Sequence, residues 1–314
     1  MFDVVVVGAG VIGLSCAMRL QQGGARVAVV SPDEPEQTTS WIAAAVWYPT
    51  HTDGDPQVLG WAARTFDEFA RQAARGVPGV TMRATRMLLR GSTDAPWWTP
   101  VVPDFRRVPP GEVASPYTGE WRFTVPAVTM GAYLNWQIEQ ITSAGGVLLR
   151  RRLDRLTDVA DLAPVTVNAT GLAARRLAAD DAVHPIRGRL VIMTNPGLTV
   201  SVRDEGNPAG LSYVHPRSQD VVLGGTFEPG ECDLTADPEE GRAILARCTA
   251  LVPELADAQV ITQLAGLRPG RDGGVRLGLD PAPGAGRLIH NYGHGGAGMT
   301  LSWGCADDVA ALSA

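Results

Sequence analysis

A chain of 314 residues, 45% of them hydrophobic, can bury the core of one large domain or of two interleaved ones. Its 27 basic and 33 acidic side chains leave a net charge of −6, and every basic one is arginine; without lysine or a long basic run, nucleic-acid binding has no support, and Schiff-base or pyridoxal-phosphate chemistry has no amine to use. No run approaches the roughly 20 apolar residues of a membrane span, no charged leader marks a signal peptide, and Cys16, Cys232, Cys248 and Cys305 lack metal-site spacing, so the chain reads as cytoplasmic, with no metal and no membrane contact.

Residues 4–7, four consecutive valines, predict a strand buried on both faces, as in a parallel sheet. A helix follows from Val11, carrying Leu14, Ala17, Met18 and Leu20; Gly23-Gly24 ends it, and residues 27–30 predict a second buried strand. Strand, glycine turn, helix and strand together make a βαβ unit. Val58, Leu59, Ala62, Phe66, Phe69 and Ala73 recur at helical spacing. From 76 to 128 the texture changes to proline, tryptophan and short alternating stretches, which predicts antiparallel sheet with loops. Leu134, Ile138 and Ile141 share a helix face, and Gly145-Gly146 stops that helix before a strand at 147–149. Residues 165–171 run from a buried strand into a turn, and a second β-rich stretch covers 189–194, 198–202, 213–214 and 221–226. A helix is expected over 238–251, then a last strand over 287–290 and a last helix over 300–312. Cys16 and Cys305 fall in apolar helical runs and are expected in the core, while pairing of Cys232 with Cys248 stays open. The predicted fold class is α/β, a Rossmann-like dinucleotide-binding domain interleaved with an antiparallel-sheet α+β domain.

Two glycine-rich segments carry the chemistry. In Gly8-Ala9-Gly10-Val11-Ile12-Gly13 the first glycine permits a tight turn, the second lets backbone approach a pyrophosphate, and the third lets helix and strand pack closely. The helix N-terminus behind them offers free N–H groups and a positive dipole end. The acid that normally binds the adenosine ribose is displaced: strand two ends at Ser31, and Asp33, past a proline, is the candidate. At the other end, residues 291–300 (Asn291-Tyr292-Gly293-His294-Gly295-Gly296-Ala297-Gly298-Met299-Thr300) lie between a strand-like and a helix-like run. Glycine this dense implies close approach of backbone to a ligand.

These residues, with Thr38-Thr39-Ser40 and Ala43-Ala44-Ala45-Val46-Trp47, Asn168-Ala169-Thr170-Gly171, Gly266-Leu267-Arg268-Pro269, Val275-Arg276-Leu277 and Thr300-Leu301-Ser302-Trp303-Gly304-Cys305-Ala306, resemble the D-amino-acid oxidase family in order and along almost the whole chain. The resemblance implies non-covalent FAD, with residues 1–75, 129–180 and 282–314 forming the FAD-binding domain and residues 76–128 and 181–281 the substrate-binding domain. It implies oxidation of a D-amino acid by oxygen and water to a 2-oxo acid, ammonia and hydrogen peroxide, by hydride transfer from the substrate Cα to flavin N5. The implied flavin contacts are Gly8, Gly10, Val11, Ile12, Gly13, Asp33, Thr38, Thr39, Ser40, Ala44, Ala45, Val46, Thr170, Gly171, Gly293, Gly295, Gly296, Gly298, Met299 and Thr300, with Thr300 bonding the flavin C2 carbonyl.

For the substrate, Arg276 matches the family's carboxylate-binding arginine, since a planar guanidinium holds a carboxylate bidentately. Tyr213 matches the tyrosine that shares that carboxylate, and Gly296 lends a backbone carbonyl to the amine. No side chain is expected to act as acid or base, and His294 is expected to hold its loop. The sequence departs from eukaryotic members at Ala209-Gly210, where they carry a further tyrosine, and at Tyr48, where they carry glutamine. Neutral D-amino acids are the expected substrates, taken by a monomer or homodimer. A D-aspartate oxidase is the alternative, its second cation coming from His215 or Arg217; an NAD-dependent dehydrogenase would account for the first glycine loop alone.

Overall fold

Val4–Val7 is buried along its length and pairs in parallel with two strands at once, Val4 facing Val27 on one side and Val165 on the other. A strand with neighbours on both sides and packing on both faces reads as an unbroken apolar run, which is why four valines occupy it. The structure is a computed structural model that describes residues 1–49, 52, 54–281 and 286–314. Among these residues, the first sheet has six strands in the order Arg276–Leu279, Arg287–Tyr292, Val165–Asn168, Val4–Val7, Val27–Ser31 and Val147–Arg150. Its neighbouring strands are parallel except the outermost pair, where Arg276 faces Tyr292 in antiparallel register.

Val5, Val7, Ala28 and Val30 point to one face, against Leu153, Leu156, Val159 and Ala163. The helices Val11–Gln22, Pro56–Ala74, Met130–Ser143 and Gly298–Ser313 belong to the same compact unit, which comprises Met1–Val80, Val128–Pro185 and Arg268–Ala314. Two of them meet backbone to backbone. A Cβ on Gly304 would collide with the Trp61 carbonyl and Cα. The Thr65 hydroxyl accepts from Gly304 N at 2.9 Å, and Trp61 Nε1 donates to Asp308 at 2.7 Å.

The second unit comprises Thr81–Ala127 and Ile186–Leu267. Its sheet runs Glu228–Pro229, Val183–Thr194, Asp220–Gly224, Ser212–Pro216, Ser201–Asp204, Val80–Leu89, Gly119–Val128 and Arg106–Val108, with Val260–Arg271 also pairing on Val183–Thr194. Helix Pro238–Leu251 begins as its sequence dictates, with Asp237 accepting from the amides of Glu239 and Glu240 and proline in the first turn. It lays Ile244 and Cys248 on Val191, Val202, Val214 and Leu223, one face of this sheet.

Three local expectations change. The second sheet is not purely antiparallel, because Val80–Leu89 and Ser201–Asp204 are joined by a crossover long enough to set them parallel. The strand expected from residue 198 starts at Ser201, since the Asn195 side chain accepts from Gly197 N at 2.9 Å and Leu198 N at 2.7 Å and keeps the chain turning there. Residues 268–281, assigned above to the substrate-binding segment, pack with the first unit through the Arg276–Leu279 ladder, while the boundary expected at 282 lies outside the described residues. All four cysteines are free thiols: Cys16, Cys248 and Cys305 are buried and Cys232 is exposed. Among the described residues no helix is long and apolar enough to cross a membrane.

Gly304→Ala is expected to destabilise the protein by about 3 kcal/mol, because neither helix backbone can withdraw cheaply. Urea unfolding of the two proteins measures it.

Candidate functional site

The parallel register brings the carboxyl ends of four strands to one line: Val7 stands beside Val30 and Asn168, and Asn168 beside His290. The chain leaves Val4–Val7 towards one side of the sheet and returns on the other through Val165–Asn168, so a topological switch falls between them, the place where open α/β sheets bind ligands. Gly8 occupies it with φ +115° and donates to Val30 O at 2.8 Å. A Cβ there would strike the Ala169 carbonyl, and a Cβ on Gly13 would strike the carbonyl of Gly8. Strand, turn and helix therefore close on one another at distances only glycine allows.

Helix Val11–Gln22 opens at Gly10, with no acidic residue in its first turn. Its dipole and amides face outward uncompensated except where Ser40 Oγ accepts from Val11 N at 3.0 Å. Gly10, whose added Cβ would lie 3.1 Å from that hydroxyl, keeps the approach narrow. This cradle suits the pyrophosphate of a dinucleotide, and Ser40, Val11, Ile12 and the glycines stand together in it. Ser31 is the last residue of strand two, and Asp33 lies beyond it, exposed, its amide bonded to Ser31 Oγ at 3.2 Å. Thr38 Oγ1 donates to Pro35 O at 2.7 Å, and Thr39 is exposed beside it.

Residues 44–48 form an irregular segment with an alanine in the left-handed region, Ala45 at φ +51°. Such a residue persists only where its surroundings over-determine it. Val128 N donates to Ala45 O at 2.9 Å, and buried Trp47 packs edge-on to Phe66 and donates to Ala62 O at 3.1 Å. The Thr300 hydroxyl accepts from Tyr48 N and donates to Tyr48 O, both at 3.1 Å. Thr300 thus spends its hydroxyl clamping this segment to the last helix, and its backbone amide is what it offers outward.

The last strand extends to Tyr292, two residues past the run legible in the sequence. Gly293 and Gly295 then take φ +84° and +53°, Gly295 N donates to Pro269 O at 2.8 Å, and Gly296 is exposed. The helix that follows begins at Gly298, so the amides of Gly298, Met299 and Thr300 have no carbonyl one turn back. This second helix N-terminus follows a strand one place removed from Val4–Val7 in the same sheet. Between them, Thr170 Oγ1 donates to Asn168 at 2.7 Å, and Gly171 follows at φ +55° against Pro269. His294 is buried, its Nε2 has no hydrogen-bond partner among the described residues, and burial holds its pKa down at about 3. Burial thus favours its neutral form at working pH.

Arg276 lies at the start of its strand, beside Tyr292 in the ladder. Nη1 donates to Tyr292 Oη at 2.7 Å, and that hydroxyl donates to Asp180 Oδ2 at 2.8 Å; Nη1 itself is 3.5 Å from Asp180. Arg271 Nε also reaches Asp180, at 2.9 Å. Burial would raise the Asp180 carboxyl, but the hydrogen bonds from Arg271 and Tyr292 outweigh it and hold it at about 2. No spacing in the sequence signals Asp180 or Tyr292, because the ladder and the turn after Leu177 bring them together. On the second unit, Tyr213 is buried and stacked on His215, ring centroids 4.7 Å apart. Among the described residues no cluster of three or more His, Cys, Asp or Glu is arranged to hold a metal.

Comparison with known proteins gives this geometry a context. The family model described as FAD dependent oxidoreductase matches residues 3–312. A D-amino-acid oxidase of Rubrobacter xylanophilus is 47% identical over 98% of this chain and 95% of its own. One of Streptomyces coelicolor is 40% identical over 99% and 96%. A human D-aspartate oxidase is 34% identical over 98% and 94%. The crystal structure of glycine oxidase from Geobacillus kaustophilus superposes with a TM-score of 0.85 at 22% identity, covering 99% of this chain and 94% of that one, which shows a shared fold.

Gly13→Ala is expected to abolish binding of added FAD, read as loss of the flavin absorbance near ~450 nm. A second expectation concerns pH. His294 and His215 are both held neutral by burial, with folded pKa values below the unfolded one of about 6.5. Their contribution is complete above that pH and is lost as pH falls below it. Unfolding free energy is expected to drop by about 2 kcal/mol between pH 6.5 and 5.5, and a flat profile of melting temperature over that range would refute it.

Proposed function

The chain belongs to the D-amino-acid oxidase family of FAD-dependent oxidoreductases, and we propose that it converts neutral D-amino acids, with oxygen and water, to 2-oxo acids, ammonia and hydrogen peroxide. FAD when bound supplies the two-electron acceptor for the Cα hydrogen. Gly8, Gly10, Val11, Ile12, Gly13 and Ser40 would hold its pyrophosphate, Asp33, Thr38 and Thr39 the adenosine side, and Thr170 with Gly171 the span between. Ala44, Ala45, Val46, Gly293, Gly295 and the amides of Gly298, Met299 and Thr300 would hold the ring. A dipole end aimed at the ring's pyrimidine side favours the negative charge that develops there on reduction.

The observation that carries the substrate reading is the Arg276 guanidinium, oriented by Tyr292 and Asp180 through Nη1. A positioned guanidinium recognises a carboxylate by charge and by planar geometry together. Tyr213 Oη and the Gly296 carbonyl are assigned to the carboxylate and to the amine. Removal of the Cα hydrogen from a neutral amine requires no side-chain base, in keeping with a His294 that burial keeps uncharged. The task left to the protein is orientation and exclusion of water.

A dehydrogenase using NAD loses its ground, because the tail motif and the family both point to flavin. Oxidation of acidic D-amino acids is the second reading, favoured by the likeness to a D-aspartate oxidase. A cytoplasmic location and a monomeric or homodimeric state belong to the same proposal.

Arg276→Leu is expected to raise KM for D-alanine at least about 100-fold, from the loss of a bidentate charged pair, while the flavin spectrum stays intact. Peroxide release across a panel of D-amino acids decides the activity itself: a flavin-loaded protein that oxidises none of them refutes it.

A further inference from the structure

Helix Pro238–Leu251 turns Ile244 and Cys248 onto the apolar face of the second sheet, and Arg247 shares that buried side of the helix, only 7% exposed. A guanidinium among apolar side chains costs free energy unless its donors are met, so an apolar residue of similar volume would serve packing at least as well. Here the donors are met by backbone carbonyls and an acid. Nε donates to Leu211 O at 3.1 Å and Nη2 to Gly225 O at 2.9 Å, while Nη1 and Nη2 each reach Glu240 Oε1 at 3.2 Å.

The two carbonyls bracket one cross-strand pair. In the ladder between Ser212–Pro216 and Asp220–Gly224, Tyr213 faces Gly224. Leu211 shortly precedes the tyrosine, and Gly225 directly follows the glycine. Gly225 N also donates to Leu211 O at 2.9 Å, so this carbonyl joins the two strands and the helix at the end of the ladder. Cys248, next to Arg247, places Sγ 3.5 Å from Tyr213 O and 3.6 Å from Gly224 O. The turn before the strand rests on the same guanidinium: a Cβ added to Gly210 would lie 3.4 Å from Arg247 Cζ.

What these bonds hold stands on the other face of the sheet. The Tyr213 ring lies over Gly224, where a Cβ would fall 1.9 Å from Cζ and 2.1 Å from Oη. A Cβ on Gly225 would fall 3.0 Å from the same hydroxyl oxygen. On its own strand the ring stacks on His215, the planes 17° apart. The hydroxyl therefore rests on the Gly224-Gly225 backbone, and a shift of that backbone moves the hydroxyl with it.

We propose that Arg247 is a positioning residue for substrate binding: from the far face of the sheet it holds the Leu211 and Gly225 carbonyls, and through them it sets the Tyr213 hydroxyl where a substrate carboxylate meets it. The proposal rests on the D-amino-acid oxidase reading and on Tyr213 as a substrate contact. Hydrogen bonds weaken steeply with misplacement, so a small movement of this backbone is felt in binding.

The test measures kcat and KM, for the D-amino acid oxidised fastest, in flavin-loaded wild type, Arg247→Met, Arg247→Lys, Tyr213→Phe and the double variant of Arg247→Met with Tyr213→Phe. Arg247→Met is expected to raise KM about tenfold while kcat stays within about threefold of wild type. Arg247→Lys, whose single ammonium replaces a planar fork, is expected to give a smaller rise. In the Tyr213→Phe background no hydroxyl is left to position, and Arg247→Met is expected to change KM by less than about twofold. An arginine with a merely structural role would weaken the enzyme alike with and without that hydroxyl. If Arg247→Met does not fold, Arg247→Lys is carried through the same cycle. Equal effects in the two backgrounds, or a KM unmoved by the substitution, overturn the proposal while the oxidase reading stands. So does a Tyr213→Phe enzyme with the KM of wild type, since Tyr213 is then no substrate contact. A wild type that oxidises no D-amino acid removes the oxidase reading, and the role of Arg247 falls with it.

Discussion

Backbone contact at the carboxyl edge of the parallel sheet is the constraint on which the rest of this molecule depends. Gly8 lies against the Ala169 carbonyl, and Gly13 against the carbonyl of Gly8. No side chain fits in either place, so the strand Val4–Val7, its helix and the returning strand Val165–Asn168 are set at one separation. That separation aims the helix N-terminus along the sheet edge and leaves its amides, apart from the one bonded to Ser40, for a diphosphate.

The tail uses the same physics at a second place on the same edge. Gly298–Ser313 starts after Arg287–Tyr292 as Val11–Gln22 starts after Val4–Val7, and neither first turn contains an acid that would compete for the ligand. The two differ in how they are anchored. The first is held by glycine packing and the second by hydrogen bonds, with Thr300 fastened to Tyr48 and Gly295 to Pro269. Rigid amides of this kind would give a bound flavin ring a fixed seat and a donor array without reorganisation.

Charge is managed with equal economy. Asp180 sits at the junction of Arg271, Tyr292 and Arg276 and stays ionised because two donors outweigh its burial. A largely shielded acid serving two guanidinium groups leaves an excess of positive charge, which the carboxylate of the proposed substrate would complement. On the second sheet Arg203 is paired with Glu205. The apolar face of that sheet makes a core, and its other face carries buried Tyr213, Arg203 and His215.

Much of this was legible in the residue order. Four valines, the glycine spacing and Asp237-Pro238 each determine local structure through properties of single residues, so the βαβ unit, the helix Pro238–Leu251 and the last helix fall where the pattern puts them. The family resemblance rested on the same local motifs. The partnership of Asp180 with Arg276 across 96 positions was not legible, nor was that of Thr300 with Tyr48 across 252. The place of Arg203 opposite Tyr213 belongs with them, because a strand's sequence does not say which strand will lie beside it, or in what register. The sequence by itself determined the elements, the cofactor motif and the reaction class, through interactions that span a few residues. Only the tertiary structure decided which charges meet, since that depends on which distant segments the sheets bring side by side.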